Sequence, residues 1–223
     1  MSHRAHGDSA TEDGTPRFLA QIENSYEPSL PASGGDLVTR LLLPCVRPDE
    51  HELNGVVDED GTFQLTGASG RVFLSVVTPA AWTTKSITLD GKDITDEPLD
   101  LTGKQSVTDL VIHLTDKVTQ ISGQVTDTRG QRTRECTVVF QTAEEHEPVV
   151  AARLMRLVRC GSNGSFQTRG LRPGRYVVTA VTSIEQTRQY EPEFREQLRR
   201  ASESLTIREG EMLTLDLKLT SGL

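Results

Sequence analysis

The chain has 223 residues, of which 35% are hydrophobic but only 4% aromatic, and a formal net charge of -8. That length suits two domains of ordinary size, and cores so poor in aromatics must be built from the Val, Leu, Ile and Thr that pack well on a pleated surface. No eighteen consecutive apolar residues occur, which argues against a helical membrane span, and the charge totals imply no concentrated basic surface for nucleic acid.

Residues 1–15 are polar, rich in Gly, Ser, Thr and Asp, and lack apolar periodicity, so they read as a disordered tail without the apolar core of an export signal. Strand patterning starts at Phe18–Ile22 and Leu37–Leu43, short apolar stretches separated by a loop rich in Pro, Ser and Gly. An internal repeat follows. Asp60-Gly61-Thr62-Phe63, then Gly67, Gly70-Arg71 and the run Val72–Val77, recurs as Asn163-Gly164-Ser165-Phe166, then Gly170, Gly174-Arg175 and Tyr176–Val181. Asp-Gly and Asn-Gly tolerate the positive φ angles of tight two-residue hairpins, which predicts a hairpin at each site with the following Phe pointing inward.

Each copy ends on period-two alternation, Leu110, Ile112 and Leu114 in the first and Leu213, Leu215, Leu217 and Leu219 in the second. Thr214, Asp216, Lys218 and Thr220 should then face water. The joint is expected near Asp116–Thr119, because Ile121, Gly123 and Val125 open a new strand one module after Phe18–Ile22. The expected organisation is therefore a tail, 1–15, a first β-sandwich module, 16–117, and a second, 118–223. The first module carries sixteen Asp and Glu against eight Lys and Arg between residues 15 and 117, the second thirteen against fifteen. Solubilising charge is the plain reading of that contrast; head-to-tail steering is the sharper one.

Two stretches depart from the pattern. Val149–Cys160 spaces Arg153, Arg156 and Arg159 by three, as on a helix face, yet runs directly into Asn163-Gly164, so its second half is assigned to a strand. Glu191-Pro192-Glu193-Phe194 followed by Arg195–Arg200 reads as a short helix, with Pro192 in its first turn, acids at its start and arginines at its end. Phe194 and Leu198, four apart, should cap the sandwich rim. The fold class is all-β: two tandem antiparallel β-sandwiches with one short helix in the second.

The strings ISGQVTDTRGQ and NGSFQTRGLRPGRYVVTA resemble the carboxypeptidase regulatory-like domain, an Ig-like or prealbumin-like sandwich, through the pattern G-x-V-x-D-x-x-G and then N-G-x-F-x-x-x-G-L-x-P-G-x-Y. The resemblance covers nearly all of residues 119–220. In the first module it is looser: FLAQIEN replaces the leading G-x-V, and Ala68-Ser69-Gly70-Arg71-Val72 stands where the second has its Leu-x-Pro-Gly-x-Tyr. The segment Trp82–Asp96 resembles a stretch of long bacterial chains with tandem copies of this domain. The resemblance implies a non-catalytic structural or interaction module of an exported bacterial multidomain protein, located outside the cell or in its envelope, whose partners are other domains or proteins of that envelope. It transfers no catalytic residue and no cofactor.

The residues themselves present no catalytic set. His51-Glu52 lacks the second His of a zinc-hydrolase helix, His3 and His6 fall in the tail, and His146 stands among Glu144, Glu145 and Glu147 without another His. Asp58, Asp60 and Gly61 resemble part of a calcium loop, but Val56 occupies the place of its first acid. Ser69 and Cys160 each precede a Gly without a G-x-S-x-G elbow, and Tyr26, Tyr176 and Tyr190 lack the His-x-His companion of an iron site. No metal and no cofactor are expected. Cys45, Cys136 and Cys160 form no CxxC pair and leave at least one thiol unpaired, so buried inert thiols are the default. The alternative function is glycan binding by aromatic rings, for which Trp82 and Tyr190 are the candidates. The favoured reading of Trp82 is nevertheless a residue that starts a strand and packs at the core edge, since large aromatics are usually mostly buried, and the sequon Asn163-Gly164-Ser165 is explained by its turn.

Overall fold

A computed structural model describes residues 17–24, 38–42, 53–56, 62–66, 70–102, 106–133, 135–184 and 188–220. The chain divides into two compact units, one of residues up to Ala80 with Thr84–Thr115, the other of Asp116–Leu223 with Ala81–Thr83. The expected tail and Cys45, His51, Asp58, Asp60, Gly67 and Ser69 lie outside the described residues, as do His3, His6 and Tyr26.

The first unit contains β1 (Arg17–Asn24), β2 (Val38–Leu42), β3 (Leu53–Val56), β4 (Thr62–Thr66), β5 (Arg71–Val77), β6 (Thr83–Leu89), β7 (Lys92–Asp93), β8 (Leu99–Asp100) and β9 (Ser106–Thr115). They form two sheets, ordered β4-β1-β9-β6-β7 and β3-β2-β5-β8. The second unit contains β10 (Gln120–Thr126), β11 (Thr137–Thr142), α1 (Pro148–Leu154), β12 (Arg156–Arg159), β13 (Ser165–Arg169) and β14 (Gly174–Val181). A 3-10 turn (Arg188–Tyr190), α2 (Pro192–Arg200), β15 (Glu203–Ile207) and β16 (Met212–Lys218) complete it. Its sheets are β13-β10-β16 and β12-β11-β14-β15. Strand for strand this is the order of the first unit, without counterparts of β6 and β7.

The ladders β1–β4, β2–β3, β2–β5, β5–β8 and β6–β7 of the first unit and β10–β13, β11–β12, β11–β14 and β14–β15 of the second are antiparallel, and an isolated parallel bridge joins Ala180 to Leu219. The first and last strands, β1 with β9 and β10 with β16, run parallel. Parallel neighbours cannot be joined by a tight turn, and here the whole module is the connection between them. The alternation read from the sequence survives along the strands: Leu110, Ile112 and Leu114 are buried in β9, and in β16 Leu217 is buried while Thr214, Asp216 and Lys218 are exposed. Thr220, expected to face water, is instead half-buried, because just past β16 its N–H donates to Ala180 O at 2.8 Å.

The hairpin expected at Asn163-Gly164 is not one. It stands between β12 and β13, which belong to different sheets, so this turn carries the chain from one layer of the sandwich to the other. A positive-φ dipeptide specifies a sharp reversal, not which strands pair across it. The inward Phe is observed in both copies, Phe63 and Phe166 being buried. The expectation of one helix in the second unit is also corrected, because the first half of Val149–Cys160 forms α1. Its three-residue Arg spacing is no helix face: Arg153 lies on α1, whereas Arg156 and Arg159 lie exposed on β12.

β11 is buried along almost its entire length. Val138 and Phe140 enter the sandwich core with Ile121, Val125, Phe166, Tyr176 and Leu217. Val139, on the opposite face, joins Met155, Val181, Phe194 and Leu198 in a second cluster. A strand covered on both faces reads as a continuous apolar run, which is why TVVF does not alternate. Phe194 and Leu198 thus extend the core into a third layer.

Candidate interaction surface

The repeated motif is spent on architecture. Asp127 Oδ1 accepts hydrogen bonds from Arg129 N at 2.9 Å and Gln131 N at 2.8 Å, and Gly130 takes φ +77° within that turn. Asn163 Oδ1 accepts from Ser165 N at 3.0 Å and Ser165 Oγ at 2.6 Å, the side-chain-to-backbone bonding that makes Asn a turn residue. Gly164 has φ +77°, and a Cβ there would stand 2.7 Å from Val125 O and 2.9 Å from Thr133 O. The Leu-Arg-Pro-Gly-Arg-Tyr string forms a tyrosine corner, in which buried Tyr176 donates its hydroxyl to Arg172 O at 3.0 Å. Thr119 Oγ1, buried, donates to Leu171 O. At Gly123 any Cβ would land on the main-chain oxygen of Leu215 in the neighbouring β16, so glycine is required by close approach.

Cys136 and Cys160 form a disulfide, their Cα atoms 5.3 Å apart. This overturns the expectation of inert thiols. The pair lies just beyond the β11–β12 ladder, where Cys160 N also donates to Cys136 O at 2.9 Å. An odd cysteine count obscures one pair among three, and the 24-residue separation spans α1, so nothing local announces it.

Of the two aromatic candidates, Trp82 is half-buried immediately before β6, and Tyr190, at the end of the 3-10 turn, is 47% exposed. His146 is half-buried between β11 and α1. Among the described residues no group of three His, Cys, Asp or Glu side chains is arranged to hold a metal ion, and no helix is long and apolar enough to cross a membrane. Much of the arginine near α2 is committed locally. Arg199 donates to Thr142 O at 3.1 Å and Ala143 O at 3.2 Å, and the Arg188 guanidinium lies 3.9 Å over the Phe194 ring. Buried Arg195 donates to Gln189 O at 3.0 Å; burial, reinforced by Arg199, holds its pKa below the ordinary arginine value, while Glu193 opposes the shift.

The open face of the β13-β10-β16 sheet is polar. Cross-strand rows Gln167–Ser122–Thr214 and Ser165–Gln124–Asp216 lie side by side. A shallow depression of about 530 Å³ there includes Ser122, Gln124, Gln167, Thr214 and Arg159 in its lining. Gln124 Oε1 is buried in it without a hydrogen-bond partner. These amides and hydroxyls supply donors and acceptors but no nucleophile paired with a base. None of them stood out in the sequence, where they are only the polar half of an alternating strand.

No family model matches the chain, and no curated protein does. Solved structures with a similar arrangement include the TIE protein of Bacillus anthracis, 11% identical over 92% of this chain and 34% of that one, with a TM-score of 0.32. A streptococcal ancillary pilin is 14% identical over 95% and 64%, with a TM-score of 0.33. GBS52, a minor pilin of Streptococcus agalactiae, is 12% identical over 93% and 97%, with a TM-score of 0.31. This chain spans about a third of the first and under two thirds of the second. At such scores none of these likenesses bears on the role of this chain.

Proposed function

We infer that the chain is a non-catalytic structural or protein-interaction module of an exported bacterial multidomain protein, working outside the cytoplasm against other domains or proteins of the cell envelope. The observation that carries this reading is the Cys136–Cys160 disulfide, because such bonds form and persist in oxidising compartments and are rare where glutathione keeps thiols reduced. The absorption of the motif into turns, close approaches and a tyrosine corner supports it too. Asp127, Asn163, Gly164 and Tyr176 hold strands in place and leave no reactive group over.

Thiol trapping in cells that express the natural gene tests the reading. Rapid alkylation followed by peptide mass spectrometry should recover Cys136 and Cys160 as a linked pair in the exported fraction. Recovery of both as alkylated thiols from the cytoplasm would rule the reading out. Glycan capture is the competing role, favoured only by the exposed Tyr190 ring. It requires polysaccharide to change the emission of the single tryptophan, Trp82, or to be lost from a Tyr190→Ala variant.

A further inference from the structure

A polar side chain on an open sheet face is normally met by water, so an end group taken out of water there without a partner calls for an explanation. Gln124 is such a residue. It stands in the middle of the Ser165–Gln124–Asp216 row, on the strand flanked by β13 and β16, and its Oε1 is buried without a hydrogen-bond partner. Turning the amide over would leave a donor unmet in place of the acceptor. In the unbound protein this arrangement costs free energy that an apolar side chain of the same shape would not.

The charges around Gln124 match one kind of ligand. Arg159, exposed at the end of β12, lines the same depression, and among the described residues its guanidinium makes no ion pair. Arg169, also exposed, follows Gln167 on the same face of β13 and adds a second cation at the rim. The rows of this face, from Arg169–Gln120–Met212 to Thr126–Lys218, hold Asp216 as their one acid, and it lies outside the lining with Lys218 next to it on β16. Cations thus outnumber acids here in a protein whose total charge is -8, which favours an anionic ligand.

We propose that this depression binds an acidic segment of a partner protein, in which an Asp or Glu carboxylate accepts from the Arg159 guanidinium and an adjoining main-chain amide meets the end group of Gln124. A planar guanidinium suits a carboxylate because it can donate two parallel bonds to it. A peptide group carries a donor and an acceptor side by side, so it satisfies Gln124 in either orientation of its amide. An acidic glycan would supply the charge too, but Phe166, the one ring in the lining, is 4% exposed and offers no face for a sugar to stack on. The site deepens the interaction-module reading and rests on it, giving the envelope partner a stated chemistry. One ion pair and a few hydrogen bonds at an open surface make the binding weak and sensitive to salt.

Nuclear magnetic resonance titration of the full oxidised chain tests it, following the side-chain amides of Gln124 and Gln167 and the Nε–H of Arg159. The probes are the blocked peptide acetyl-Ala-Asp-Ala-amide, its Asn counterpart and polygalacturonate. The Asp peptide should move all three signals saturably, and the Asn peptide should bind about tenfold more weakly. Arg159→Gln should lower affinity for the Asp peptide about tenfold and leave the denaturation midpoint unchanged. Gln124→Met should weaken binding about fivefold and yet raise the midpoint, because it removes an amide that has no partner in the unbound protein. A glutamine kept for the fold alone would lower the midpoint when replaced. Absence of a saturable shift with the Asp peptide, equal binding of the Asn peptide, tighter binding of polygalacturonate at the same signals, or a lowered midpoint in Gln124→Met would each overturn the site. Oxidised, exported protein that binds none of the probes refutes this site alone, whereas reduced cysteines in the cytoplasm refute the module reading.

Discussion

Substituting alanine at Gly123 adds one methyl group where the Leu215 carbonyl already sits, and main chain cannot swing aside as a flexible side chain does. We expect a loss of about 3 kcal/mol or more in chemical denaturation, at the upper end of what overpacking costs. Tyr176→Phe keeps the buried ring and loses the hydroxyl that bonds Arg172 O, so about 1 kcal/mol is expected from the same measurement. The contrast is informative because both positions belong to the motif string. Their residue types were legible in the sequence, but their reasons were not. A glycine kept for close approach and a glycine kept for positive φ, such as Gly164, look alike until the neighbouring strand is in place.

Among the elements, the disulfide bridges two strands separated by α1 and closes a loop of 24 residues. Constraining a loop of that length in the unfolded chain stabilises by about 3 kcal/mol. Reductant should therefore lower the denaturation midpoint of the second unit by a corresponding amount, and Cys136→Ala with Cys160→Ala should abolish the response. α2 is the other element that depends on burial: Phe194→Ala should cost about 3–5 kcal/mol by emptying the cluster with Val139, Met155 and Val181. This helix was legible because Pro192, Glu193 and the closing arginines mark both its ends. α1 was half hidden, since seven residues give too short a period to outweigh the strand that follows. The turn at Asn163-Gly164 was legible as a reversal and misassigned as a hairpin, because local chemistry does not say which sheet receives the next strand. The parallel pairing of β10 with β16 had no sequence signal at all, for its partners lie almost a full module apart.

On the scale of the whole molecule, the repeat seen in the sequence reappears as one strand order used twice. The copies have drifted where the signature drifts. Ala20 stands opposite Phe63 as Gly123 stands opposite Phe166, and it is beside Ala20 that the β1–β9 register shifts. Since each unit buries its own apolar side chains, residues 116–223 expressed alone should unfold cooperatively and keep the full response to reductant. A broad, non-cooperative transition in that fragment would contradict this. The parallel placement of first and last strands has a mechanical consequence. Tension applied through the two ends of the second unit pulls β10 and β16 lengthwise past each other, so their seven paired positions are loaded together in shear and not unzipped one by one. A module built this way resists stretching far more than its modest folding free energy would suggest.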